Sequence, residues 1–176
     1  MDNMENLGFI RDKLDIKILI LYILEKLPAP VDGLVLADLA LFDGGFNWFD
    51  YSDCLADLVQ TEHVAEKDGA YEITDKGRRN VGYVGSSLPY SVRAKADRLA
   101  MPVAAALRRQ SMIETTSEPA TNGGQTVSLR LSDGMGEIIS MHLAVPDETQ
   151  AKAIEGKFRK DAEEIYNKII TILTEE

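Results

Sequence analysis

Residues 16–27, IKILILYILEKL, constrain this chain more than any other segment. Ile16, Leu19, Ile20, Ile23, Leu24 and Leu27 recur at helical spacing, and Ile18 and Leu21 widen the stripe until little polar face is left. Asp15 is the expected N-cap, and Pro28 and Pro30 stop the helix. A helix apolar on nearly every side has to be enclosed, by its own domain alone or together with a second subunit. The longest uninterrupted apolar run, residues 18–24, is far too short to span a bilayer, so no membrane partner is expected.

The segments that follow supply the enclosure. A second helix is expected over about residues 34–42, ended by Asp43-Gly44-Gly45. A third occupies FNWFDYSDCLADLVQTE, residues 46–62. Residues 63–67 and 70–74 flank Asp68-Gly69, the signal of a tight hairpin. Thr74 or Asp75 then caps a helix carrying Lys76, Arg78 and Arg79. Three helices and a hairpin within about seventy residues are the element order of a winged helix-turn-helix domain.

In the second half, SSLP at residues 86–89 starts a helix whose face is marked by Leu88, Val92, Ala96, Leu99, Val103 and Leu107. Pro102 inside it predicts a kink or two abutting helices. Residues 112–118 lean towards strand and 119–124 towards a turn. Val127, Leu129 and Leu131 alternate with polar residues, as do Ile139, Met141, Leu143 and Val145; the two runs flank Asp133-Gly134-Met135-Gly136 and are expected to pair antiparallel. Residues 146–150, PDETQ, cap a long last helix in which Ala151, Ile154, Phe158, Ala162, Ile165, Ile169 and Leu173 form one seam. Either the seam packs on the chain's own sheet, or part of it meets a partner helix in a two-fold homodimer. The candidate dimer residues are Ile154, Phe158, Ile165, Ile169 and Leu173. The expected fold class is therefore α+β, with a winged helix-turn-helix over residues 1–85 and a small C-terminal α+β region (helix, antiparallel strands, long last helix) over residues 86–176.

Charge decides how the third helix is read. The chain carries a net charge of −10. Residues 1–85 hold eight Lys and Arg against sixteen Asp and Glu, whereas residues 86–176 hold eleven against thirteen. The acidic half is the one that has to meet nucleic acid, and phosphates are bound chiefly through Lys and Arg. With Asp50 as N-cap, Asp53 falls at N3, so both carboxylates sit where the helix dipole favours them. Tyr51, Leu55, Leu58 and Val59 then face the core, while Ser52, Asp53, Ala56, Asp57 and Gln60 face outward. Only Ser52 and Gln60 of that face suit ordinary base contacts. Phosphate contacts fall to Lys67, Arg78 and Arg79. A second basic group, Arg93, Lys95, Arg98, Arg108 and Arg109, either flanks DNA or pairs with the acidic half of this or a partner chain. Phe46, Trp48, Phe49 and Tyr51 are expected to serve packing.

The segments LDIKILILYIL, FNWFDYSDCLADLVQTEHV, YEITDKGRRNVGYV, LPYSVRAKADRL and AKAIEGKFRKDAEEIYNKI together resemble a bacterial family of winged-helix proteins catalogued as a domain of unknown function. The likeness covers nearly the whole chain. It implies a winged helix, a small C-terminal α+β region and a role in transcription, and it brings no catalytic residues. Relatives favour threonine and glutamines where this chain has Asp50, Ser52 and Asp53.

Chemistry beyond binding is not expected. His63 and His142 have no metal-ligand spacing, no cofactor motif is present, and Cys54 in mid-helix is a small core residue with no base beside it. One cysteine and an N-terminus without a basic-then-apolar layout point to the cytoplasm. The leading expectation is a homodimeric regulator that binds double-stranded DNA and senses a small-molecule effector through its C-terminal region. The alternative is a protein-protein interaction module whose acidic third helix, through Asp53 and Asp57, docks a basic partner.

Overall fold

The computed structural model describes residue 10 and residues 12–121 and 123–175. In chain order its elements are α1 (Lys13–Lys26), β1 (Val31–Asp32), α2 (Gly33–Ala40), α3 (Trp48–Gln60), β2 (Val64–Lys67), β3 (Ala70–Ile73), α4 (Asp75–Val84), α5 (Tyr90–Ser111), β4 (Ile113–Pro119), β5 (Gln125–Ser132), β6 (Glu137–Val145) and α6 (Glu148–Thr174). The architecture is mixed α+β, with two antiparallel three-stranded sheets ordered β1-β3-β2 and β4-β5-β6. Two compact units divide the chain, Met1–Leu107 and Arg108–Glu176. No helix among the described residues is long and apolar enough to cross a membrane.

α1 is the axis of the first unit. Ile16, Ile18, Leu19, Ile20, Leu21, Tyr22, Ile23 and Leu24 are all buried, so consecutive residues and not one face are enclosed. Its N-cap is Asp12, whose carboxylate accepts from the Leu14 amide at 2.9 Å, and not Asp15. Asp15 instead sits in the first turn, where the dipole also favours an acid. α2 ends at Ala40, sooner than its apolar run, because residues 41–43 tighten into a 3-10 turn and Gly44 takes a left-handed φ of 69°. Lys67 stands opposite Ala70, leaving Asp68 and Gly69 as a two-residue turn with φ of 53° and 79°. Two positive φ values mark the turn type that matches strand twist, which is why Asp-Gly is found there.

α5 is one helix through Pro102, not two. Proline frees the carbonyl four residues earlier, and here both Arg98 and Pro102 lie on the exposed side, where water can satisfy it. Val92, Ala96, Ala100 and Ala104, one per turn, join Leu88 in the first core. The compact unit therefore extends well beyond residue 85, because the small residues of α5 pack on the core that α1 begins.

The second unit is one sheet and one helix. β5 is central, and its Val127, Leu129 and Leu131 are buried against Ala151, Phe158 and Ala162 of α6. Asp147 caps α6 by accepting from the Gln150 amide at 2.8 Å. The helix breaks at Asp161, whose φ of −127° and ψ of 27° are not helical.

Candidate functional site

The outward face of α3 is set by where the helix starts. Asn47 is the N-cap: its Oδ1 accepts from the Phe49 and Asp50 amides at 2.8 and 3.1 Å, and the Asp50 carboxylate accepts from the Asn47 amide at 3.4 Å. This capping box makes Asp50 the N3 residue and corrects the assignment of Asp50 as N-cap and Asp53 as N3. The same shift puts Trp48 and Phe49 in the first turn, outside the buried stripe of Tyr51, Cys54, Leu55 and Leu58. They are 47% and 79% exposed, so Phe49 does not serve packing and Trp48 does so on one side only, against Tyr51. At the other end Glu62 takes a left-handed φ of 59°, and the Glu62 and His63 amides return to the carbonyls of Val59 and Leu58.

The two outward aspartates have partners on α1. Lys13 Nζ lies 3.4 Å from the Asp53 carboxylate and Lys17 Nζ 2.9 Å from that of Asp57. The charge that looked unbalanced on α3 is thus matched by a neighbouring helix forty residues earlier in the chain. No pattern within the α3 sequence could disclose that pairing. Buried Cys54 lies beneath the same face, and burial raises its thiol pKa, which suits a core residue.

Ser52 and Gln60 are brought together in one groove of about 560 Å³ between α3, the start of α2 and the β2–β3 hairpin. Leu34, Trp48, Leu55, Val59 and Tyr71 give it apolar and aromatic walls; Asp32 and Glu66 are its charged residues. Among the described residues no Lys, Arg or His lines it. Trp48 and Tyr51 meet at a tilted 47° with ring centroids 5.6 Å apart. The Tyr51 side chain is 2% exposed, and its hydroxyl has no hydrogen-bond partner among the described residues.

The expected phosphate contacts lie elsewhere. Lys67 is exposed at the end of β2, while Arg78 and Arg79 are exposed on α4; none lines the groove, and none forms an ion pair among the described residues. Lys76 is engaged differently, donating to the Thr61 carbonyl at 2.7 Å and so capping the negative end of α3. Beside it His63 is held at both ring nitrogens, by Thr61 Oγ1 at 2.8 Å and Asn80 Nδ2 at 2.6 Å. Burial first, then the charges of Lys76 and Lys17, depress its pKa. Of the second basic group, Lys95 donates to the Phe42 carbonyl at 3.2 Å, and Arg109 forms a two-pronged pair with Glu163 at 3.1 and 3.0 Å.

In the second unit the seam residues Ile154, Phe158, Ile165 and Ile169 line an apolar trough of about 400 Å³ with Leu129, Met141 and Leu143. Phe158 is buried within its own unit, whereas Leu143, Ile170, Ile172 and Leu173 are exposed by 38% to 75%. β6 is an edge strand of its sheet. Among the described residues no three His, Cys, Asp or Glu side chains gather as a metal site.

No curated protein and no solved structure matches the chain. A family model does, over residues 16–173, and its span takes in both units and every residue of the groove and the trough. The chain belongs to the family described as Domain of unknown function (DUF4364).

Proposed function

We propose that the first unit is a winged helix of the transcription-regulator type that binds double-stranded DNA through α3, with the protein acting as a homodimer. The observation that carries this reading is the pairing of Asp53 and Asp57 with Lys13 and Lys17. It offsets the charge of two outward carboxylates and leaves Ser52 and Gln60 as the uncharged polar groups of that face. It also weakens the competing view of α3 as an acidic dock for a basic partner, since the carboxylates such a partner would need already have cations beside them. Lys67, Arg78 and Arg79, exposed and without ion pairs among the described residues, are the phosphate-binding candidates. The apolar trough of the second unit favours a second copy: beyond it Ile172 and Leu173 of α6 are exposed, and the edge strand β6 offers a further surface to a two-fold partner.

Duplex affinity measured across a salt series tests the reading. The expected result is binding that weakens steeply with salt, with the slope of log affinity against log salt falling by about one for each of Arg78→Ala and Arg79→Ala. Absence of binding to genomic fragments at low salt sinks it. Sedimentation reads the dimer in the same samples, and a mass of one chain at micromolar concentration rejects that part.

A further inference from the structure

The α3–hairpin groove has a chemistry that duplex DNA does not use. Its only charged lining residues are the carboxylates of Asp32 and Glu66, and neither has a basic partner among the described residues. Glu66 of β2 stands directly opposite Tyr71 of β3, and burial first, then Glu66 and the charge of Asp32, raise the pKa of the Tyr71 phenol. Tyr51 adds an independent sign. Its hydroxyl is buried without a hydrogen-bond partner, a state that costs stability unless something else uses the group. Tyr51 and Tyr71 both line the groove, and burial first, then Tyr71, raise the Tyr51 pKa. The groove thus offers two carboxylates and the Tyr71 phenol, with walls of Trp48, Leu55 and Val59. At about 560 Å³ it matches the size of a small-molecule site.

We infer that this groove binds an organic cation: a protonated amine whose head sits between Asp32 and Glu66 and whose aromatic or aliphatic body lies against Trp48, Leu55 and Val59. Acidic walls of low dielectric concentrate cations, and the faces of Trp48 and Tyr71 attract them further. An anion is repelled by the same carboxylates, and a neutral molecule gains only the apolar wall. Because Ser52 and Gln60 line the same groove, an occupied groove excludes duplex from α3. That last clause rests on the DNA reading, whereas the binding itself does not.

Trp48 is the chain's single tryptophan and sits in the groove wall, so its fluorescence reports occupancy directly. The full chain is titrated with phenethylammonium, with 2-phenylethanol as the neutral probe and 3-phenylpropanoate as the anionic one. The expected result is a saturable change with the amine alone, weakened about tenfold or more by Glu66→Gln and by Asp32→Asn. Asparagine still caps α2, and Glu66 is exposed, so both variants fold. The inference is overturned by an amine that gives no saturable change at about 1 mM, by equal binding of the alcohol, or by carboxamide variants that bind as well as the parent. Duplex affinity without amine is measured separately, so a failure of DNA binding and a failure of the amine site are told apart.

Discussion

α1 and α6 are the helices on which the two units are built, and they are used in opposite ways. α1 has 14 residues and buries eight, on all sides; α6 has 27 and buries four, along one line. Around α1 the chain wraps α2 to α5 and a small sheet, so the first core draws on nearly every element of its unit. Around α6 there is only the β4-β5-β6 sheet, and among the described residues its core is Val127, Leu129, Leu131, Ala151, Phe158 and Ala162. A core fed by many elements tolerates the loss of one side chain; a core of six does not. The same contrast separates their surfaces: the first unit presents a formed groove, whereas the second presents exposed apolar side chains on α6 and β6.

Phe158→Ala gives the largest expected effect. Removing a fully buried Phe costs about 3–5 kcal/mol, and in a core this small that approaches the stability of the unit. Amide hydrogen exchange should lose protection across β4, β5 and β6 while α1 keeps its own. Leu19→Ala, at a position with no exposure in α1, costs about 2–5 kcal/mol but should leave the first unit folded. If Phe158→Ala strips protection from α1 as well, the two cores are not separate and the comparison fails.

One substitution with opposite signs in the two units sharpens it. A Cβ added at Gly77 of α4 collides with the His63 carbonyl oxygen and comes within 2.7 Å of Ile73 Cγ1. Both neighbours are held, one as backbone and one in the core, so Gly77→Ala should cost about 1–3 kcal/mol. At Gly156 of α6 nothing lies within 4 Å, and alanine there should add roughly 1 kcal/mol of helix propensity. Thermal unfolding of the two variants measures both, and a stabilised Gly77→Ala would show that α4 is not seated against the His63 strand end.

The fold was readable where local signals and burial agree. The apolar run of α1, the Asp68-Gly69 hairpin, the β5–β6 pairing and the Asp147 cap are all written in residues near one another in sequence. Start points were not: Asp12 and Asp15 are equally good caps on paper, as are Asn47 and Asp50, and only the tertiary position of the helix selects between them. The break at Asp161 interrupts a seam whose spacing is regular, so periodicity could not announce it. Of the candidate site, Ser52 and Gln60 were legible as outward positions of α3, but the groove was not. Its acids come from Asp32 and Glu66, on α2's cap and the hairpin, and its aromatic floor from Tyr51 and Tyr71. A site assembled from three separated segments leaves no motif.

Ion pairs carry the same contrast at the smallest scale. In the first unit Lys13–Asp53 and Lys17–Asp57 join two helices, whereas in α6 Lys152–Glu148, Arg159–Glu155 and Lys168–Glu164 join residues one turn apart. Lys17–Asp57 is the shorter and more sheltered of the α1–α3 pairs, with side chains 31% and 50% exposed. Asp57→Asn should therefore cost under about 1 kcal/mol, vanish in high salt, and couple to Lys17→Met in a double-mutant cycle. Glu164→Gln removes only a contact within one helix and should do less. The Lys168 hydrogen bond and charge hold the Glu164 carboxyl below its ordinary range. A carboxyl whose folded pKa is depressed adds stability that is complete above its unfolded pKa of about 4.3 and fades as pH falls below that value. Unfolding curves at pH 7 and in mild acid separate the two cases: the Glu164→Gln difference should disappear in acid. Equal and uncoupled effects of Asp57→Asn and Glu164→Gln would mean that the α1–α3 pairs fix nothing between helices, and α3 would then owe its position to the Tyr51, Cys54, Leu55 and Leu58 stripe alone.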